Sequence, residues 1–92
     1  MIYRRRDNVV CRRIAGETLL IPIRGNLVDM QRLFVLEGAG DFIWEMIDGS
    51  RTTDDIRKAI TGHFDMAAQD AGADLDEFIT ELAQRELIAE AH

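Results

Sequence analysis

The spacing of apolar positions changes partway along the chain, and that change divides it into strands and helices. The run VVCRRI, Val9–Ile14, is rich in β-branched residues, and Gly16 separates it from ETLLIPI, which reads as a second strand. Pro22 has no N–H for a sheet ladder, so it belongs near that strand's end or at a bulge. RGN at 24–26 turns the chain, and RLFVL at 32–36 is a third strand. Residues 27–31, LVDMQ, fit either an extension of that strand or a short turn of their own.

After Leu36 the period becomes helical. Ala39, Phe42, Ile43, Trp44, Met46 and Ile47 cover most of a helix circumference and leave Asp41, Glu45 and Asp48 as a narrow polar face. Such a helix is central, with Trp44 in the core. Gly38 to Gly40 allow close packing at its start, and Asp48-Gly49 ends it. Thr52 followed by Asp55 matches a capping box and opens a second helix with an inner stripe of Ile56, Ala59, Ile60 and Phe64. A last helix over 65–86 carries Ala71, Leu75, Phe78, Ile79 and Leu82, and Gly72 weakens it by roughly 1 kcal/mol relative to alanine. Three strands followed by three helices predict one α+β domain over 1–92, with residues 1–8 a flexible basic N-terminus.

With 92 residues and 47% hydrophobic composition, the chain is globular rather than disordered. It has no apolar run near the roughly 20 residues of a membrane span, and MIYRRRDNVV lacks the apolar core of a signal peptide. A soluble, cytoplasmic protein without a membrane partner is expected. Cys11 is the only cysteine, which excludes an internal disulfide and leaves an inert strand thiol. The net charge of −6 is unevenly divided: residues 1–36 hold seven arginines against three acids, whereas residues 37–92 hold four cations against fourteen acids. Solvated surface is the ordinary reading of such charge; a basic face for an acidic partner is the sharper one.

Converging reactive groups are scarce. His63 and His92 have no nucleophile at a catalytic spacing, and no phosphate loop, CxxC or HExxH occurs, so neither a catalytic nor a metal site is expected. A carrier domain would need an attachment serine opening a helix in an Asp-Ser-Leu context, but Ser50 stands in DGSRT. The second and third helices would suit a helix-turn-helix. The recognition helix would then present Asp70, Asp74, Asp76, Glu77 and Glu81 to phosphates, so nucleic acid is not an expected partner.

The order GETLLIPI, RLFVLEGAGDFIWEMIDGSRTTDDIRKAI and DLDEFITELAQRELI resembles the PqqD family, the peptide-binding proteins of pyrroloquinoline quinone biosynthesis and their relatives. The matching positions are Leu36, Ile43, Trp44, Asp48, Gly49, Thr52 and Ile56, then Leu75, Phe78, Ile79 and Leu82. Glu37 stands where the family usually has Asn, and RGNLVDMQ is longer than the usual tight turn, which points to a relative of the pyrroloquinoline quinone protein. The resemblance implies a winged helix-turn-helix-like fold with a three-stranded antiparallel sheet. It also implies a recognition element for ribosomally made, modified peptides, without catalysis or cofactor. A precursor's leader peptide would add as a strand at Arg32, Leu33, Phe34, Val35 and Leu36, with apolar side chains entering a groove formed with Leu75, Phe78, Ile79 and Leu82. Arg12 and Arg13, with Arg32, would steer an acidic leader. A separate modifying enzyme, such as a radical S-adenosylmethionine enzyme, would then receive the peptide. The alternatives are an interaction or regulatory module of the same fold and a winged-helix DNA binder. An open edge strand allows a monomer or a strand-exchanged dimer.

Overall fold

A computed structural model describes residues 1–25, 27–28 and 30–91. Asn26, assigned above to the turn after the second strand, Asp29 of the 27–31 segment, and His92 lie outside the described residues.

The two long strands are β2 (Val9–Ile14) and β3 (Glu17–Arg24), preceded by a short β1 (Tyr3–Arg5). Ile14 pairs with Glu17, so only Ala15 and Gly16 link β2 to β3, and both have positive φ, 53° and 83°. That backbone matches the twist of a two-residue hairpin. Pro22 lies two positions from the end of β3, opposite Val9. β4 (Leu27–Val28) and β5 (Phe34–Leu36) both pair antiparallel with β3, which makes the sheet four-stranded rather than three-stranded. A 3-10 turn, Met30–Arg32, separates them, so residues 27–31 begin as strand and end in a turn. Arg32 and Leu33, expected in the third strand, therefore fall outside β5.

Residues directly opposite in an antiparallel pair share a face. The pairs Thr18 with Leu36 and Leu20 with Phe34 therefore put Phe34 and Leu36 on the core face and Val35 on the other. Leu20 and Leu36 are buried in the core, with Val9 and Phe34 packed against it.

Helix α1 (Ala39–Met46) lies at the centre, as its nearly all-apolar surface predicts: Ile43 and Trp44 are buried, as is Ile47 just after it. The link to α2 (Thr53–Phe64) is an Asx turn. Asp48 Oδ1 accepts from the Ser50 amide at 3.0 Å, the Ser50 hydroxyl at 2.9 Å and the Arg51 amide at 3.2 Å. The expected capping box is present in both halves: Thr52 Oγ1 accepts from the Asp55 amide, and Asp55 Oδ2 accepts from the Thr52 amide. Ile56 and Ile60 are buried, but Phe64, expected on the inner stripe, is 40% exposed. It is the last residue of α2, and its ring meets Phe42 and His63 edge-on.

Helix α3 (Ala68–Gln84) is shorter than 65–86 at both ends. Asp65 adopts the left-handed conformation that closes α2. Glu86, also left-handed, completes a Schellman stop, in which the Leu87 amide donates to Leu82 O at 3.0 Å and the Glu86 amide to Ala83 O at 3.1 Å. The chain then enters a strand with no counterpart in the sequence reading, β6 (Ile88–Glu90), which pairs with β1.

That pairing corrects the expectation of a flexible residue 1–8 segment. Tyr3, Arg4 and Arg5 lie opposite Glu90, Ala89 and Ile88, Met1 O accepts from the Thr53 amide at 2.8 Å, and Ile2 bridges to Thr52. Arg5 reaches further, donating from Nε and Nη2 to the Trp44 carbonyl at 3.2 and 2.8 Å, where α1 leaves a carbonyl to be capped.

Candidate functional site: an open strand edge beside an acidic helix

Among the described residues β5 pairs with β3 alone, so its outer edge offers backbone donors and acceptors to another strand. Its neighbour across that edge is the outward face of α3, where residues 74, 77, 78, 81 and 85 follow one another at helical spacing. Phe34 and Phe78 meet with ring centroids 6.4 Å apart, and the Arg85 guanidinium lies 4.8 Å from the Phe34 centroid, a cation–π arrangement.

Next to Phe78 a cleft of about 260 Å³ is lined by Glu37, Ala39, Gly40, Ile43, Asp74, Glu77, Phe78 and Glu81. Its apolar floor depends on Gly40. A Cβ at that position would come within 3.2 Å of Phe78 Cε1 and 3.8 Å of Leu36 Cδ2. The absence of a side chain lets the Phe78 ring approach the start of α1 through Cε1 and Cζ. The cleft is smaller than the roughly 300–1,000 Å³ of small-molecule sites and suits single side chains of a longer ligand.

The residues expected to bind peptide separate into groups. Phe34 and Phe78 meet at the groove, half-buried, and Val35 lies on the opposite face of the same edge strand. Leu36, Leu75, Ile79 and Leu82 are at most 7% exposed and belong to the core beneath it. Arg32 and Leu33 lead into β5. Arg12 and Arg13 are on β2, across β3 from β5, and so about 10 Å from that strand at ordinary sheet spacing. Arg13 faces α1, with Nη2 3.4 Å from Asp41 and 3.9 Å from Glu45, while Thr18 Oγ1 donates to Asp41 at 3.1 Å. The charge beside β5 is instead mainly acidic. Gly40, Arg85 and the acids at 37, 74, 77 and 81 were missed as site residues, although the i, i+3, i+4, i+7 spacing on α3 is a readable signal.

Elsewhere, His63 stacks on Phe42 at 4.4 Å between centroids, an aromatic contact at the surface. No group of His, Cys, Asp and Glu suited to a metal occurs among the described residues, and no helix there is long and apolar enough to cross a membrane.

Comparisons with known proteins place this small α+β scaffold in a family. The family model for coenzyme PQQ synthesis protein D (PqqD) matches residues 17–88. The chain belongs to the PqqD family. In fold it is similar to TbiB1, solved in complex with the TbiA(beta) leader peptide, with a TM-score of 0.78 and 24% identity over 97% of this chain and 98% of that one. No curated protein matches the sequence.

Proposed function

We propose that the protein recognises the leader segment of a precursor peptide as an added strand on β5 and presents it to a modifying enzyme on a separate chain. The observation that carries this reading is the open edge of β5 beside the half-buried Phe34–Phe78 pair. Family membership and the leader peptide named with TbiB1 support it. The resemblance to the pyrroloquinoline quinone proteins adds the enzyme class, a radical S-adenosylmethionine enzyme. The protein's own part is binding and orientation.

Magnitudes assign the affinity. β5 has three residues, enough for about two or three backbone bonds at a net ~1 kcal/mol each. Two apolar anchors add roughly 2 kcal/mol each, against an association cost of about 4 kcal/mol or more. Strand pairing and two anchors together therefore fall short of the roughly 8 kcal/mol of micromolar binding, and charged contacts along the α3 rim must contribute as well.

The test takes its leader peptide from any short peptide gene found beside this chain's gene. Amide shifts on binding are expected at 34–36 and along 74–85. Phe34→Asp and Phe78→Asp, each shown to be folded, should raise the dissociation rate by about tenfold or more, the equivalent of one lost apolar anchor. Shifts confined to α2, or unchanged dissociation in both variants, would remove strand addition as the mode.

A further inference from the structure

We infer that the peptide strand taken at this groove is cationic, with a lysine or arginine two residues from the apolar side chain that seats against Phe78. The inference rests on the peptide-binding reading above and specifies the chemistry of the ligand. It replaces the acidic leader implied by the arginines of β2.

Three observations combine. First, the cleft has an apolar floor of Ala39, Gly40, Ile43 and Phe78, and a rim made only of carboxylates, Glu37, Asp74, Glu77 and Glu81. Second, these acids differ from those of the neighbouring helices. Asp41 and Glu45 face Arg13, Asp48 faces Arg51, Asp54 faces Arg57 and Lys58, and Asp55 caps α2. On the rim only Glu81 has a cation, Arg85 at 3.4 Å; among the described residues Glu37, Asp74 and Glu77 face none. Third, α3 has five acids and no lysine or arginine between Ala68 and Gln84, so the helix wall beside β5 is acidic up to Arg85, just past its end.

The geometry then sets the ligand's pattern. A strand beside β5 turns alternate side chains to one face, about 6.8 Å apart. Asp74 and Glu81 are seven residues apart on α3, about 10 Å along its axis, with Glu77 and Phe78 between them. One side chain of the strand can therefore meet the Phe78 floor while the next on the same face meets a carboxylate. A peptide with acids at those positions would add to four existing negative charges. The rim thus selects against acidic strands as well as for basic ones.

The experiment pans a phage-displayed library of random decapeptides on the full chain and on its Glu37→Gln, Asp74→Asn, Glu77→Gln variant, with folding checked by circular dichroism. Peptides enriched on the unmodified chain, and shown by amide shifts to sit on β5, should have Lys or Arg two positions from an apolar residue. Their dissociation constants should rise about two- to fivefold for each acid removed and roughly tenfold for all three, as expected for partly exposed ion pairs, and salt should weaken binding to the unmodified chain more than to the variant. If the three substitutions together unfold the chain, each made singly should show the same direction. Enriched peptides that sit on β5 but are neutral or acidic, or that bind the variant equally well, would overturn the cationic assignment and leave strand addition standing. A library from which nothing binds at β5 would remove both.

Discussion

Single residues divide sharply into those that hold the domain and those that shape its open edge. Trp44 is 2% exposed, with Arg5 5.1 Å above its ring and donating to its carbonyl. Trp44→Ala should cost about 3–5 kcal/mol by urea denaturation, a large part of the roughly 5–15 kcal/mol available to a domain. Asp48 supplies a pH dependence. Hydrogen bonds from the Ser50 amide and hydroxyl and the Arg51 amide lower its pKa from 3.8 to about 2. A lowered folded-state value means stability that is complete above about pH 4 and is lost as pH falls toward 2. Thermal melts of the chain and of Asp48→Asn between those limits should therefore converge at the acid end. Trp44 and Asp48 were legible because their signals are local: an apolar helix circumference in one case, an Asp-Gly turn in the other. Phe78 was harder to separate from Leu75, Ile79 and Leu82. All four recur at helical spacing, and only in the folded chain do the burial of the other three and the approach of Phe78 to Gly40 show which of them reaches the cleft.

At the scale of elements, the hairpin, the capped α2 and the course of α3 followed from period and turn chemistry, whereas β1 and β6 had no local signature. Each has three residues, β1 is Tyr-Arg-Arg, and their pairing joins opposite ends of the sequence, which no short window contains. Their weight can be measured by removing residues 1–5. That deletion strips the partner of β6, including the pairing of buried Ile88, and removes the Arg5 donors from the Trp44 carbonyl. The melting temperature should fall by at least about 8 °C, which corresponds to roughly 2 kcal/mol in a chain of this size. A loose tail would leave it unchanged.

For the whole molecule, the uneven charge along the sequence resolves into internal pairing on one side and an acidic wall on the other. Arg5 and Arg13 face the carboxylates of α1, while α3 keeps its own acids outward beside β5. Although α2 and α3 are consecutive helices in contact, α3 has no lysine or arginine with which to neutralise phosphate. Fluorescence anisotropy with a labelled DNA duplex should show no sub-micromolar binding at physiological salt. The order of β2, β3, β5 and the three helices showed in the sequence. The sign of charge at the groove did not, because it depends on which face of α3 looks toward β5. The fit of Phe78 over Gly40 also makes recognition separable. A methyl at position 40 would lie 3.2 Å from Phe78 Cε1, closer than most such contacts, and a smaller side chain at 78 would relieve it. The two positions together form a bump and a hole, by which the proposed peptide groove could be given a second shape on the same scaffold.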